Sequence, residues 1–265
     1  MLMEFTKYQG AGNDFILFDN RNDALNTGMQ AFFAKICHRR FGIGADGVML
    51  LQLAQDVDFE MVYINADGYE GSLCGNGSRC MVKFAHRLGI RKEAYTFLAA
   101  DGIHEAKLDK GVVRLKMHDV TDIKHLLHYY ELNTGSPHYV EFFDNIAGID
   151  VREQGAKIRF SDQYKQAGIN VNFVECTDGR LSMRTYERGV EDETYACGTG
   201  VTAAALAYAI DNKLPAGYYN IPVQVLGGEL MVSFEKLSDT YFTEIWLSGP
   251  ADFVYSGVID TEQFA

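Results

Sequence analysis

A repeat constrains this sequence more than any other feature. Residues 74–88 read Cys-Gly-Asn-Gly-Ser-Arg-Cys-Met-Val-Lys-Phe-Ala-His-Arg-Leu, and residues 197–211 read Cys-Gly-Thr-Gly-Val-Thr-Ala-Ala-Ala-Leu-Ala-Tyr-Ala-Ile-Asp. Each is a Cys-Gly-polar-Gly turn opening onto a helical stretch, and the two lie 123 residues apart in a chain of 265. Matched segments about half a chain apart imply two similar halves. In the first, Met81, Phe84, Ala85 and Leu88 recur at helical spacing before Gly89. The second is apolar almost all round, the pattern of a helix buried inside its own half. A polar segment precedes each repeat (Asn65-Ala-Asp-Gly; Glu187-Arg-Gly-Val), and an extended stretch with a glycine turn follows (Tyr95–Leu108; Tyr219–Phe234).

Six further stretches read as strands: Asp14–Asp19, Val48–Leu53, Met61–Ile64, Gly111–Met117, Asn170–Glu175 and Leu181–Tyr186. Met29–Arg39 reads as one more amphipathic helix. The expected class is α+β, with two pseudo-symmetric halves that each wrap strands around a central helix. Only four prolines and no Ser/Gly tract interrupt the chain, so the boundary must come from pattern. It is placed at residue 130, with 1–130 carrying Cys74 and 131–251 carrying Cys197.

The balance of 36 acidic against 24 basic residues, a net −12, argues against a nucleic-acid or anionic-membrane surface. The longest apolar run, Val201–Ile210, is too short to span a bilayer, and Met1–Lys7 shows no secretory pattern. The five cysteines (37, 74, 80, 176 and 197) are an odd set without secretory context, which fits reduced thiols in a cytoplasmic protein.

A Cys-Gly-x-Gly turn at a helix start has specific chemical capacities. Its glycines allow a ligand close to the backbone. The first helical N–H groups have no intrahelical partner and form a cradle for a carboxylate or phosphate. A cysteine at that positive end is biased toward thiolate relative to a free pKa of about 8.5. One such turn alone is as well explained by packing, since cysteine is commonly buried. Two in matching positions favour chemistry. Facing each other, they would hold one carboxylate between two thiols. Inversion at an amino-acid α-carbon needs one deprotonated and one protonated group, and N–H donors where carbanion charge collects.

Other chemistries fit less well. Cys74 and Cys80 miss the usual zinc-ligand spacing of about two to four intervening residues; His118, His125 and His128 crowd a short stretch, but His125-Leu-Leu-His128 reads as surface or core histidines. Gly10-Ala-Gly-Asn13 lacks both the P-loop and the dinucleotide pattern. A cysteine hydrolase would leave the second cysteine unexplained. A non-catalytic amino-acid or metal-binding module remains the rival from another class.

The chain resembles the diaminopimelate epimerases in an ordered series of segments. These are Lys7-Tyr-Gln-Gly-Ala-Gly-Asn13-Asp-Phe, Arg40-Phe-Gly-Ile-Gly-Ala-Asp46-Gly, Asn65-Ala-Asp-Gly and the Cys74 turn. Then follow Gly135-Ser-Pro-His138, Gly168-Ile-Asn170-Val-Asn, Tyr186-Glu-Arg-Gly189, the Cys197 turn and Ser248-Gly-Pro-Ala251. The resemblance implies interconversion of L,L- and meso-diaminopimelate, in lysine and peptidoglycan precursor synthesis, without pyridoxal phosphate, another cofactor or a metal. It implies a curved, mostly antiparallel sheet around each central helix, a homodimer, and return of the tail 252–265 to the first half. Cys74 and Cys197 would be the two bases, with the amides of Gly75-Asn76 and Gly198-Thr199 on the reacting carboxylate. Asn13 and Glu187 would lie near the reacting amino group. Asn65, Asn170 and Arg188 would recognise the distal end, and His138 and Glu187 would assist the thiols.

Three positions depart from the family pattern. Ser136 stands where members often have asparagine, Gly47 where some have glutamine, and Val190-Glu-Asp-Glu193 replaces a glycine-rich stretch. A proline or hydroxyproline racemase on the same fold is the nearest alternative. Asn65, Asn170 and Arg188 argue against it, because proline has no distal carboxylate.

Overall fold

The computed structural model describes residues 1–71 and 73–264. The chain forms two compact units, Met1–Leu115 with the residues from Gly249 onward, and Lys116–Ser248.

The first unit contains β1 (Leu2–Gly10), β2 (Asn13–Asp19), α1 (Gln30–Cys37), β3 (Gly47–Gln52), β4 (Phe59–Asn65), α2 (Gly75–Arg87), β5 (Ala94–Ala99), β6 (Gly102–Asp109) and β7 (Val112–Lys116), which ends at the unit boundary. Pairing is antiparallel for β1–β2, parallel for β2–β3, antiparallel for β3–β4 and parallel for β4–β5. Antiparallel β5–β6 and β6–β7 complete it. A parallel step needs a crossover, and α1 and α2 are the two crossovers. Apolar runs in β2 and β3 reflect burial on both faces. Ile16, Phe18, Val48 and Leu50 join a core with Phe32, Phe33 and Ile36 of α1. Phe15 and Met49 approach Gly77 of α2 from the other face. The sheet wraps α2, which packs against β1 through β4 and β6.

The second unit contains β8 (Ile123–Leu126), β9 (Tyr129–Asn133), β10 (Pro137–Phe143), α3 (Val151–Arg159), β11 (Asn170–Thr177), β12 (Arg180–Glu187), β13 (Asp192–Thr194), α4 (Gly198–Asp211), β14 (Gly217–Val225), β15 (Gly228–Lys236) and β16 (Phe242–Gly249). Its ladder repeats the first. β9–β10 is antiparallel, β10–β11 parallel across α3, β11–β12 antiparallel and β12–β14 parallel across α4. Antiparallel β14–β15 and β15–β16 follow. Alanines 203, 204, 205, 207 and 209 are fully buried on α4, where small side chains let strands close in from several directions. The fold is thus α+β and pseudo-symmetric, as its sequence repeat implies.

Two features differ from expectation. The sequence pattern places residues 123–130 in the first half, whereas β8 pairs with β9 and β9 with β10, inside the second unit. Helix α3 was not anticipated, because it buries only Val151 and Gly155. Its start carries a capping signal, with Asp150 accepting from Glu153 N at 2.9 Å. The chain ends in β17 (Asp252–Asp260), antiparallel to β1, and a 3₁₀ turn at Thr261–Phe264. Along β17, Phe253, Val254, Tyr255 and Val258 are exposed.

Candidate active site

In the first unit, Cys74 is the N-cap residue of α2, in extended backbone conformation, and is half-buried. The helix begins bonding with Ser78 N to Cys74 O at 2.8 Å, so the ladder does not use the preceding amides. Cys74 Sγ donates to Asn13 Oδ1 at 3.6 Å, and Asn76 Nδ2 donates to the same oxygen at 3.5 Å. Neither amide is free to flip. Asn13 Nδ2 donates to Asp46 Oδ2 at 2.5 Å, and Asn76 Oδ1 accepts from the fully buried Arg79 Nη2 at 2.9 Å. Asp46 Oδ1 accepts from Arg39 Nη2 at 2.6 Å, and Arg39 also binds Asp14. Burial pushes the Asp14 carboxyl up, but Arg39 and Lys7 outweigh it and hold the group at about 2.

Cys197 repeats this placement as N-cap of α4, and is buried. Helix bonding begins with Val201 N to Cys197 O at 2.9 Å. The Cys197 Sγ lies 3.5 Å from Thr199 Oγ1, which lies 2.9 Å from His138 Nε2. His138 therefore reaches the thiol through Thr199. On its other side, His138 Nδ1 is 3.1 Å from Asn172 Nδ2. Asn172 Nδ2 also donates to Tyr139 O at 2.9 Å, while its Oδ1 accepts from Thr185 Oγ1 at 3.0 Å. Burial, reinforced by the charge of Arg188, pushes His138 down to about 3, so the ring is neutral near pH 7.

The residues expected at the distal end of a substrate cluster in part. Asn170 Oδ1 accepts from Arg188 N at 2.9 Å, and Asn170 Nδ2 donates to Ser136 Oγ at 2.8 Å. Arg188 Nη2 donates to Ser136 Oγ at 3.4 Å. Glu187 Oε2 accepts from Thr194 Oγ1 at 2.8 Å. Asn65 sits in the first unit, at the end of β4 opposite Gly47. Cys37 and Cys80 are core thiols, the former pushed up to about 12 by burial and the latter pushed up further. Among the described residues, no three His, Cys, Asp or Glu side chains are grouped to hold a metal. No helix there is long and apolar enough to cross a membrane.

The sequence profile of diaminopimelate epimerase matches residues 5–121 and 130–254. The chain belongs to the diaminopimelate epimerase family. A diaminopimelate epimerase of Flavobacterium psychrophilum is 49% identical over 259 residues, covering 97% of this chain and 100% of that one. One from Chlorobaculum tepidum is 44% identical, covering 94% and 98%. Among solved structures, a phenazine biosynthesis protein of the PhzF family from Bacillus anthracis shares the fold, with TM-score 0.76 at 15% identity, covering 98% of this chain and 99% of that one. A hydroxyproline epimerase from Agrobacterium vitis, solved with trans-4-hydroxy-L-proline, aligns with TM-score 0.65 at 14% identity, covering 97% and 92%.

The three positions that the sequence sets apart have defined surroundings. At Gly47 an added Cβ would lie 2.6 Å from both Ile64 O and the Tyr63 ring, so a longer side chain has no room. Ser136 supplies the hydroxyl that links Asn170 to Arg188. The acidic stretch is paired: Arg184 grips Glu193 through Nε at 2.7 Å and Nη2 at 2.8 Å, and Arg159 meets Glu191 at 3.3 Å. Sequence pattern assigns no role to Asp46, Arg79, Asn172, Thr185 or the Thr199 hydroxyl. The available signal was Asn170-Val-Asn172, two amides on one face of a buried strand.

Proposed function

We propose that this protein is a cofactor-independent, two-base diaminopimelate epimerase, working on a small amino-acid substrate through Cys74 and Cys197. One observation carries the reading: each unit places a cysteine at the N-cap of its central helix, ahead of amides outside the helical ladder. The reacting carboxylate binds the amides of Gly75-Asn76 and Gly198-Thr199. One thiolate takes the α-proton, and the C–H electron pair spreads into that carboxylate, where N–H donors stabilise the charge by several kcal/mol. The other thiol then delivers its proton to the opposite face, leaving the two sulfurs with exchanged roles. Asn13 and Glu187 receive the reacting amino group. Asn65, Asn170 and Arg188 recognise the distal end, Arg188 by a two-point carboxylate contact. The neutral His138 supports Cys197 through Thr199, and does so as a hydrogen-bond donor.

The enzyme acts in the cytoplasm as a homodimer, with β17 as the contact strand, since Phe253, Val254, Tyr255 and Val258 present apolar surface there. Incubation with L,L-diaminopimelate in D2O tests the activity. Deuterium should enter the α-carbon as the meso isomer forms. Deuterium in L-proline and none in diaminopimelate would overturn the substrate assignment.

A further inference from the structure

The hydrogen bonds around the two cysteines run in opposite directions. At Cys74, Asp46 accepts from the Asn13 amide nitrogen at 2.5 Å, so Asn13 can only present its oxygen to the sulfur. An acceptor beside a sulfur favours S–H. At Cys197 the direction reverses. Asn172 Nδ2 is identified as nitrogen by its bond to Tyr139 O, so His138 Nδ1 must accept and the ring proton sits on Nε2. His138 Nε2–H then donates to Thr199 Oγ1, which frees the threonine proton for donation to Cys197 Sγ, 3.5 Å away. A donor beside a sulfur favours S⁻.

We infer that the resting enzyme holds Cys74 as the thiol and Cys197 as the thiolate, set by Asp46 acting through Asn13 and by Asn172 acting through His138 and Thr199. Asp46 and Asn172 are positioning residues. The inference rests on the two-thiol reading above and names which thiol starts as base. The helix N-termini act on both sulfurs alike and do not distinguish them. Arg79 opposes the assignment through its charge, but its hydrogen bonds go to Asn76 Oδ1, Gly75 O and Pro250 O. The neutral state of His138 agrees with its role as a one-way donor.

Peptide-resolved iodoacetamide labelling of the substrate-free enzyme reads the assignment directly, because the thiolate is the nucleophile. Cys197 should label faster than Cys74 by about tenfold, although Cys197 is the more buried of the two. Thr199→Val should slow Cys197 labelling by about tenfold and leave Cys74 unchanged, while Thr199→Ser restores it. Asp46→Ala should speed Cys74 labelling by releasing Asn13. Long-range ¹H–¹⁵N spectra should show the Nε2–H tautomer of His138, switching toward Nδ1–H in Asn172→Leu. Faster labelling of Cys74, an Nδ1–H tautomer in the wild type, or a Thr199→Val enzyme with unchanged Cys197 labelling would each overturn the inference. The epimerase reading fails separately, if the wild-type enzyme does not exchange diaminopimelate.

Discussion

Gly200→Ala sets two effects of opposite sign against each other. Gly200 lies in the first turn of α4, where alanine is favoured over glycine by up to about 1 kcal/mol. An added Cβ would sit 2.5 Å from Asn172 Oδ1 and 3.3 Å from His138 Cε1. Carbon contacts are comfortable at about 3.5–4.0 Å, so the Asn172 amide must move by roughly an ångström. That motion stretches its bonds to Thr185, Tyr139 O and His138, now 3.0, 2.9 and 3.1 Å. Overpacking costs about 1–3 kcal/mol, and a stranded buried polar atom costs about 1–3 kcal/mol more. The clash wins. We expect a net loss of about 2 kcal/mol, seen in urea unfolding and as a drop of about 4–8 °C in Tm. Deuterium exchange into diaminopimelate should also fall, by about tenfold for each 1.4 kcal/mol lost at Thr199. A Gly200→Ala enzyme as stable as the parent, with unchanged exchange, would show that Asn172 is not held against His138 and Gly200 as described.

Four further outcomes are expected. Cys74→Ala and Cys197→Ala each abolish epimerisation, measured as conversion of L,L- to meso-diaminopimelate; full activity in either rejects the two-base scheme. Leu206→Ala empties a fully buried site on α4 and should cost about 2–5 kcal/mol in urea unfolding. Asp14 is depressed to about 2, so its contribution is present above the unfolded value of about 3.9 and lost as pH falls toward 2; Asp14→Asn should flatten that part of the stability curve. Val254→Glu with Val258→Glu places two charges on the exposed surface of β17 and should yield a folded monomer by analytical ultracentrifugation.

The fold was legible where sequence pattern has one physical cause. The duplicated turns, the apolar α4 and the runs in β2 and β3 all reflect burial, and burial leaves a periodicity. Helix α3 is short and mostly polar, with Val151 its one buried side chain, and β8 and β9 belong to the second unit because of strand pairing, which no local pattern records. At the candidate site, residue types were readable and bond directions were not. Asn13 and Asn172 are both amides in the sequence. Only their partners, a carboxylate for one and a backbone carbonyl for the other, decide which end each presents.

The internal symmetry explains why the two thiol turns need not be chemically equivalent. In both units candidate-site residues stand at matched places of the repeated ladder: the starts of β2 and β3 or of β10 and β11, the end of β4 or of β12, and the central helix start. Asn13 and Pro137 open β2 and β10, Gly47 and Asn170 open β3 and β11, and Asn65 and Glu187 close β4 and β12. The backbone thus supplies each unit with one helix end and one cysteine. The side chains at matched addresses then diverge. The first unit offers amides ordered by Asp46 and Arg79, and the second a glutamate, an arginine and a neutral histidine. A proton donor and a proton acceptor can be specified the same way, by placing different side chains beside each sulfur while the backbone of the two helix starts stays the same.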